Sequence, residues 1–371
     1  VATSTKMVVA ALIAQLIYTQ SVNAESSQRP NIVLIMADDM GFSDIGCYGG
    51  EIETPTLDRL AAGGLRFSQF YNTARCCPTR AALMTGLYPH QAGVGHMVND
   101  RGVPAYRGRL NERCVTIAEA LGRGGYQTWL AGKWHVTPFD YKTRTASHRP
   151  TWPLQRGFEE FYGTLAGGGS YFDPPGLMRG NRFVRPNRNS YFYTDAVSDQ
   201  AARYIRQNAG SPRPFFLYVA YTSPHWPLHA PAHTVAKYEG VYDDGWDALR
   251  ARRHRRMIDM GVLDARWKLT PRDPAAPPWD EAENQAWESQ RMAVYAAQVD
   301  NMDQGIGRIV AALEETGRIE NTLILFLADN GGCAEELYSG TSWLVKSGIV
   351  DETSPEGLPM RVGNDPAIVP G

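Results

Sequence analysis

Residues 31–39 read NIVLIMADD, and residues 322–330 read TLILFLADN. Each is a continuous apolar run of strand length, followed by alanine and two short oxygen-bearing side chains. Unbroken apolarity marks a strand covered on both faces, as in a mostly parallel sheet. If the two strands are neighbours, Asp38, Asp39, Asp329 and Asn330 converge at one end of that sheet. Unpaired carboxylates packed together repel and resist ionisation. A hard divalent cation resolves the conflict, and all-oxygen ligation favours Ca2+ or Mg2+ over zinc. An Asp after a strand is often only a turn or helix cap. That reading serves for one pair, whereas two matched pairs favour the metal.

Outward from these runs the chain alternates. TPTLDRLAAGG (54–64) predicts a helix with Thr54 as N-cap, Pro55 in the first turn and Gly63 as the stop. LRFSQFYN (65–72) alternates like a strand. A helix is predicted from about Pro78, another in VTIAEALGRGG (115–125), and a strand in YQTWLAGKWH (126–135). SDQAARYIRQNA (198–209) reads as helix, PFFLYVAYTSPH (214–225) as strand, and residues 291–317 as a long helix. This order predicts an α/β fold with a mostly parallel central sheet flanked by helices on both faces. Residues 136–192, with TLAGGGSYFDPPG at their centre, read as long loops over the sheet edge. Residues 230–285 read as an insertion whose basic run, RARRHRR (250–256), is a solvated helix face offset by nearby acids.

The chain has 371 residues, 43% of them hydrophobic and 20% charged, enough for a substantial core. A formal net charge of −2 gives no global argument for nucleic acid or an anionic membrane surface. Lys6, the apolar run MVVAALIAQLIY and the small-x-small end Val22-Asn23-Ala24 predict a secretory signal cleaved after Ala24, hence a periplasmic or secreted protein without stable membrane association. The first residue is Val, so the true start is expected upstream. Export permits disulfides. Five cysteines (Cys47, Cys76, Cys77, Cys114 and Cys333) are too few for a disulfide scaffold, and an odd count leaves one thiol over in a monomer.

In such sheets ligands collect at the carboxyl ends of the strands. One predicted end carries AGKWH, where Lys133 and His135 alternate by two and can share a face. Another carries His225 and His229 amid prolines. A lone histidine is more often structural than catalytic; two such segments at ends of one sheet leave the choice open. In ARCCPTRAALMTG (74–86), Pro78 suits a first helical turn and places Cys76 at the helix entrance, where amides and dipole favour negative charge. Arg80, four residues on, can reach back across one turn. The place suits a thiolate, an oxyanion or a bound anion. On these features alone a buried, inert cysteine remains the simpler reading.

Taken together, these residues resemble the type I sulfatases of the alkaline phosphatase-like superfamily. Cys76-Cys77-Pro78-Thr79-Arg80 followed by AALMTG matches the family's C-x-P-x-R signature, whose cysteine is oxidised by a dedicated enzyme to formylglycine. RPNIVLIMADDMGFSDIGCYGG, AGKWH, SPHWPLHAP and FLADNGG look like family segments in family order, over residues 29–335. The resemblance looks closest to bacterial arylsulfatases, partly through GFEEFYGTLAGGGSYFDP. It implies that Cys76 becomes the formylglycine whose hydrate is the nucleophile, and that Asp38, Asp39, Asp329 and Asn330 hold Ca2+. It implies that Arg80 and Lys133 steady the formylglycine, that His135 takes a proton, and that His225 is a sulfate ligand and proton donor to the leaving oxygen. The implied activity is hydrolysis of sulfate esters of small molecules or glycans. The implied alternatives are a phosphodiesterase or phosphonate monoester hydrolase of the same superfamily, or an inactive domain that binds sulfated glycans.

One segment departs from the family. A second active-site lysine is expected after the calcium-binding strand, yet the surroundings of Lys346, SWLVKSGIVDETSPEGLP, do not match, so that role is not carried to Lys346. The small C-terminal antiparallel sheet of the family is expected to be missing. Residues 25–371 are thus expected to form the N-terminal part of a sulfatase catalytic domain. Trp134, Trp226, Tyr171 and Phe172 are candidates for an aryl or sugar subsite, or for plain packing. Cys77, at the variable position, reads as a packing residue.

Overall fold

The computed structural model describes residues 29–333 together with 349, 350, 352, 353, 355 and 357. The predicted signal segment and Lys346 lie outside these residues. Seven strands form one sheet in the order β5-β4-β3-β2-β6-β1-β7. They are β1 (Asn31–Asp38), β2 (Gln127–Gly132), β3 (Glu160–Thr164), β4 (Leu177–Arg179), β5 (Arg182–Phe183), β6 (Phe215–Pro224) and β7 (Thr322–Ala328). The pairs β3·β2, β2·β6, β6·β1 and β1·β7 are parallel, and the β3·β4 and β4·β5 pairs are antiparallel. The stretch 136–192 is therefore not loop alone. It adds three short strands to the sheet.

The principal helices are α1 (Pro55–Ala62), α2 (Cys76–Thr85), α3 (Ile117–Arg123), α4 (Tyr193–Gln207), α5 (Gly245–Asp259) and α6 (Gln285–Glu315). Strand alternation sorts the core into two layers. Val33, Ile35, Leu217 and Val219 pack with Val197, Ala201, Met302 and Ile306 of α4 and α6. Leu34, Met36, Phe216 and Tyr218 pack on the other face with Cys77, Ala81 and Met84 of α2 and Ala118 of α3. Full burial of each large apolar side chain contributes about 1.5–3 kcal/mol. Close approach of the central strands depends on Gly132 (φ 118°), since a Cβ there would overlap the Ala220 carbonyl of β6.

Two local expectations need correcting. LRFSQFYN is irregular, and Leu65, Phe67, Phe70 and Tyr71 are exposed. A period of two makes a strand only where a ladder partner exists, and among the described residues none pairs with this segment. Thr54 does precede α1, but its hydroxyl accepts no helix amide; it accepts from Gly46 N at 2.8 Å and donates to the Asp58 carboxylate of α1 at 3.2 Å. The first amides of α1 donate instead to the Asp303 carboxylate of α6 (Thr56 N 3.0 Å, Leu57 N 2.8 Å). The cap is tertiary and ties α1 to α6, with a charged acceptor worth about 1.5–3 kcal/mol.

Candidate active site

The carboxyl ends of β2, β6, β1 and β7 lie side by side in the sheet, so Lys133, His225, Asp38-Asp39 and Asp329-Asn330 arrive at one place. The N-terminus of α2 brings in Cys76 and Arg80. His135, two residues after Lys133, lies against Cys76 and Cys77, so the nine candidate residues lie close together. Among the described residues no helix is long and apolar enough to cross a membrane.

The centre is an ion cluster sealed from water. Arg80 (1% exposed) meets Asp329 Oδ2 at 2.9 Å and Asp38 Oδ2 at 3.5 Å. Lys133 Nζ also binds Asp38 Oδ2. Burial disfavours the charges of Arg80 and Lys133, but the carboxylates raise both pKa values above their ordinary ranges, with Tyr218 also acting on Arg80 and Cys76 on Lys133. Burial, with Asp38 adding, pushes the Asp329 carboxyl up to about 7. Asp39 stands at φ 62°; its amide donates to Asp329 Oδ1 (3.3 Å), and its Oδ1 accepts from Asn330 Nδ2 (2.6 Å). Arg80 thus reaches the carboxylates of β1 and β7 rather than only turning back toward Cys76.

The donor set fits a hard cation. Asp38 Oδ1 and Asp39 Oδ2 are buried and have no hydrogen-bond partner. One ligand atom each from Asp38, Asp39 and His225 lies within 4.8 Å of the others. Two buried oxygens left bare beside three carboxylates are costly without a cation. Oxygen donors suit Ca2+ or Mg2+.

Beside this cluster, Cys77 donates a hydrogen bond to Cys76 and, with Lys133 and His135 helping, holds the Cys76 thiol well below the usual thiol range. Burial raises the Cys77 thiol well above that range. Cys77 does more than fill space: its Sγ lies 3.3 Å from His135 Nε2. Burial pushes the His135 pKa down to about 4, so its ring is neutral at pH 7, and its Nδ1 has no partner. His225 donates from Nδ1 to the Trp226 carbonyl (2.5 Å) and turns Nε2 toward Asp39 Oδ2 at 3.6 Å. His229 is absent from the cluster. It is buried, stacks on Phe172 and accepts from Tyr171 N at 3.4 Å.

The GGG stretch proves to be part of the site. A Cβ on Gly167 would overlap the His135 ring, and one on Gly168 would come within 2.8 Å of His225 Cε1. Both glycine amides donate to the Tyr141 hydroxyl, at 2.9 and 3.2 Å. Run composition singles out these glycines, but nothing in the sequence says which rings they face. Of the proposed aromatic subsite residues, Trp134 and Tyr171 are core. The Trp134 indole donates to Thr151 O (2.9 Å) and the Tyr171 hydroxyl to His225 O (2.8 Å). Trp226 lines the open cleft beside Asp39. Cys47, Cys76, Cys77 and Cys114 are buried and reduced.

The sequence profile described as Sulfatase matches residues 30–357. An arylsulfatase of Klebsiella aerogenes is 34% identical over 336 residues, covering 83% of this chain and 68% of its own length. An uncharacterized sulfatase of Schizosaccharomyces pombe is 34% identical over 337 residues, covering 82% of this chain and 58% of its own length. Among solved structures, Ps i-CgsB in complex with k-i-k-neocarrahexaose is 29% identical with a TM-score of 0.60, over 82% of this chain and 59% of that one. The chain thus spans between half and about two thirds of the length of these proteins. With the shared sheet, the signature at Cys76 and the profile match over most of its length, this chain belongs to the sulfatase family.

Proposed function

We propose that the protein hydrolyses sulfate esters, releasing sulfate and an alcohol or phenol, after a formylglycine-generating enzyme has converted Cys76. The observation that carries this reading is the pairing of two bare carboxylate oxygens, on Asp38 and Asp39, with the Arg80–Lys133 cation pair beside Cys76. Asp38, Asp39, Asp329 and Asn330 would hold Ca2+. When bound, the cation supplies charge neutralisation for an anionic ester, and a hydrated aldehyde at position 76 supplies the attacking oxygen. Arg80 and Lys133 fix Asp38 and add positive charge where an anion must sit. His135, neutral at pH 7, is a base able to take a proton from an oxygen at position 76. His225 keeps its Nδ1 proton on the Trp226 carbonyl, so Nε2 is the nitrogen left to face the leaving oxygen, and it gives a proton there only when the ring is the imidazolium, protonated at both nitrogens.

Mass spectrometry of the Cys76 peptide after co-expression with the maturation enzyme tests the first step; conversion lowers the mass by about 18 Da. Rates on aryl sulfates against aryl phosphodiesters and phosphonates test the second. Unconverted Cys76 after co-expression favours an inactive glycan-binding domain, and a strong preference for phosphodiesters refutes the sulfatase reading.

A further inference from the structure

A cleft of about 710 Å3 opens beside Asp39 and Trp226, a volume usual for a small-molecule site. Its far wall comes from the inserted segment. Trp246, Leu249 and Arg253 recur at helical spacing along one face of α5, Trp279 follows, and Trp287 and Met292 come from the start of α6. The tryptophans at 226, 246, 279 and 287 are all half-buried. Trp246 and Trp279 pack edge to face with centroids 4.7 Å apart. Gly245 (φ 75°) lets the Trp279 ring lie against bare backbone, since a Cβ would overlap it. The Trp246 and Trp279 indole N–H groups donate to Pro277 O and Asp243 O, both at 3.1 Å. Ring surface, not donors, is what these two offer the cleft.

Arg253, Arg291 and the hydroxyls of Tyr242, Tyr295 and Ser289 in the wall are already engaged. Arg253 binds Glu51 through two bonds (2.7 and 2.8 Å) and Asp44 at 2.5 Å, and Arg291 binds Glu288 at 2.8 and 2.9 Å. The hydroxyl of Tyr242 donates to Glu51 (2.8 Å), that of Tyr295 to Asp44 (2.5 Å) and that of Ser289 to Asp243 (2.6 Å). Among the described lining residues, neither arginine is without a carboxylate partner. Second sulfates or carboxylates on a glycan need such cations, and sugar hydroxyls need partners not already spent.

On the basis of the sulfatase reading above, we propose that this cleft binds the organic part of the ester and selects flat, uncharged aryl groups of two or more rings over polyanionic sugar chains. The test is kcat/KM of the converted full chain on three esters of matched leaving-group acidity: phenyl sulfate, 2-naphthyl sulfate, and a naphthyl sulfate with a carboxylate on the distal ring. The second ring should raise kcat/KM by about tenfold, and the carboxylate should cancel that gain. Trp246→Ala and Trp279→Ala should each lower the naphthyl-to-phenyl ratio several-fold. Equal values for phenyl and naphthyl esters, or a rate maintained or raised by the carboxylate, overturn the proposal. If a variant fails to fold, the wild-type ester series decides alone. If only phosphodiesters turn over, the sulfatase reading falls, and the same ring series on aryl methyl phosphodiesters decides the subsite independently.

Discussion

Arg80→Met probes the buried ion cluster directly. Arg80 is 1% exposed and bridges two carboxylates that are themselves sealed, Asp329 at 2.9 Å and Asp38 at 3.5 Å. Asp38, Asp39 and Asp329 face two cations, Lys133 and Arg80. Methionine retains the volume of the stem and removes the charge, leaving Lys133 alone against three acids. Deleting one partner of a buried pair costs about 3–5 kcal/mol. For a domain of this size about 2 °C of Tm corresponds to 1 kcal/mol, so the expected loss is about 6–10 °C. The measurement is thermal unfolding in EDTA at pH 8.5, above the raised Asp329 pKa of about 7, so that the cluster is fully charged. Ca2+ should then raise the Tm of the variant more than that of the wild type, because a dication relieves a larger negative excess. A variant within about 2 °C of wild type in EDTA, or an equal Ca2+ shift in both proteins, refutes the account of the cluster.

Gly167→Ala should lower turnover by about a hundredfold, as expected for a misplaced catalytic group, because its methyl overlaps the His135 ring; Gly210→Ala, with nothing near its Cβ, is the control, and steady-state kinetics decide. Cys76→Ala should abolish turnover while the Ca2+-dependent rise in Tm persists; turnover retained by the purified variant would sink the mechanism. Burial pushes the His229 pKa down to about 3, whereas the unfolded chain takes up that proton near pH 6.5. The unfolded state therefore binds more protons between these values. This contribution to stability is full above pH 6.5 and is lost as pH falls toward 3. Between pH 7 and 4.5 the wild type should lose about 2–3 kcal/mol more than His229→Gln in urea unfolding; equal losses contradict the buried neutral ring.

The two ADD/ADN strand ends were legible because each carries two independent signals, an apolar run that needs both faces covered and a carboxylate that then has nowhere to go. Parallel neighbours β1 and β7 end in step, Ala37 opposite Ala328, so the convergence follows from register. Cys76, Pro78 and Arg80 were legible as a signature, but the direction of Arg80 was not. Helical spacing gives its reach toward Cys76, whereas the buried carboxylates of β1 and β7 decide where its charge settles. LRFSQFYN misled because alternation reports one covered face without naming what covers it. The glycines facing His135 and His225, and the Asp303 cap on α1, lie beyond any local pattern: each depends on residues about 30 to 250 positions away.

The basic run of α5 shows how much a tertiary partner changes a local reading. RARRHRR looks like a solvated face, yet Arg253 is 13% exposed and joins Glu51 and Asp44, while Arg256 donates to Gly50 O at 2.9 Å. Asp44 in turn accepts from Gly41 N (2.7 Å) and from Tyr295, whose hydroxyl lies 3.4 Å from the Asp39 carbonyl. The inserted helix and the turn after Asp39 are thus held by one carboxylate, that of Asp44. A displacement of α5 that opens the aromatic wall must break charge-assisted bonds to Asp44, and Asp44 fixes the turn immediately after Asp39. Changes in the insertion should therefore reach the cation site as well as the cleft. Arg253→Met should weaken Ca2+ affinity measured by titration although it touches none of the four candidate ligands, and unchanged affinity would show that wall and loop move independently.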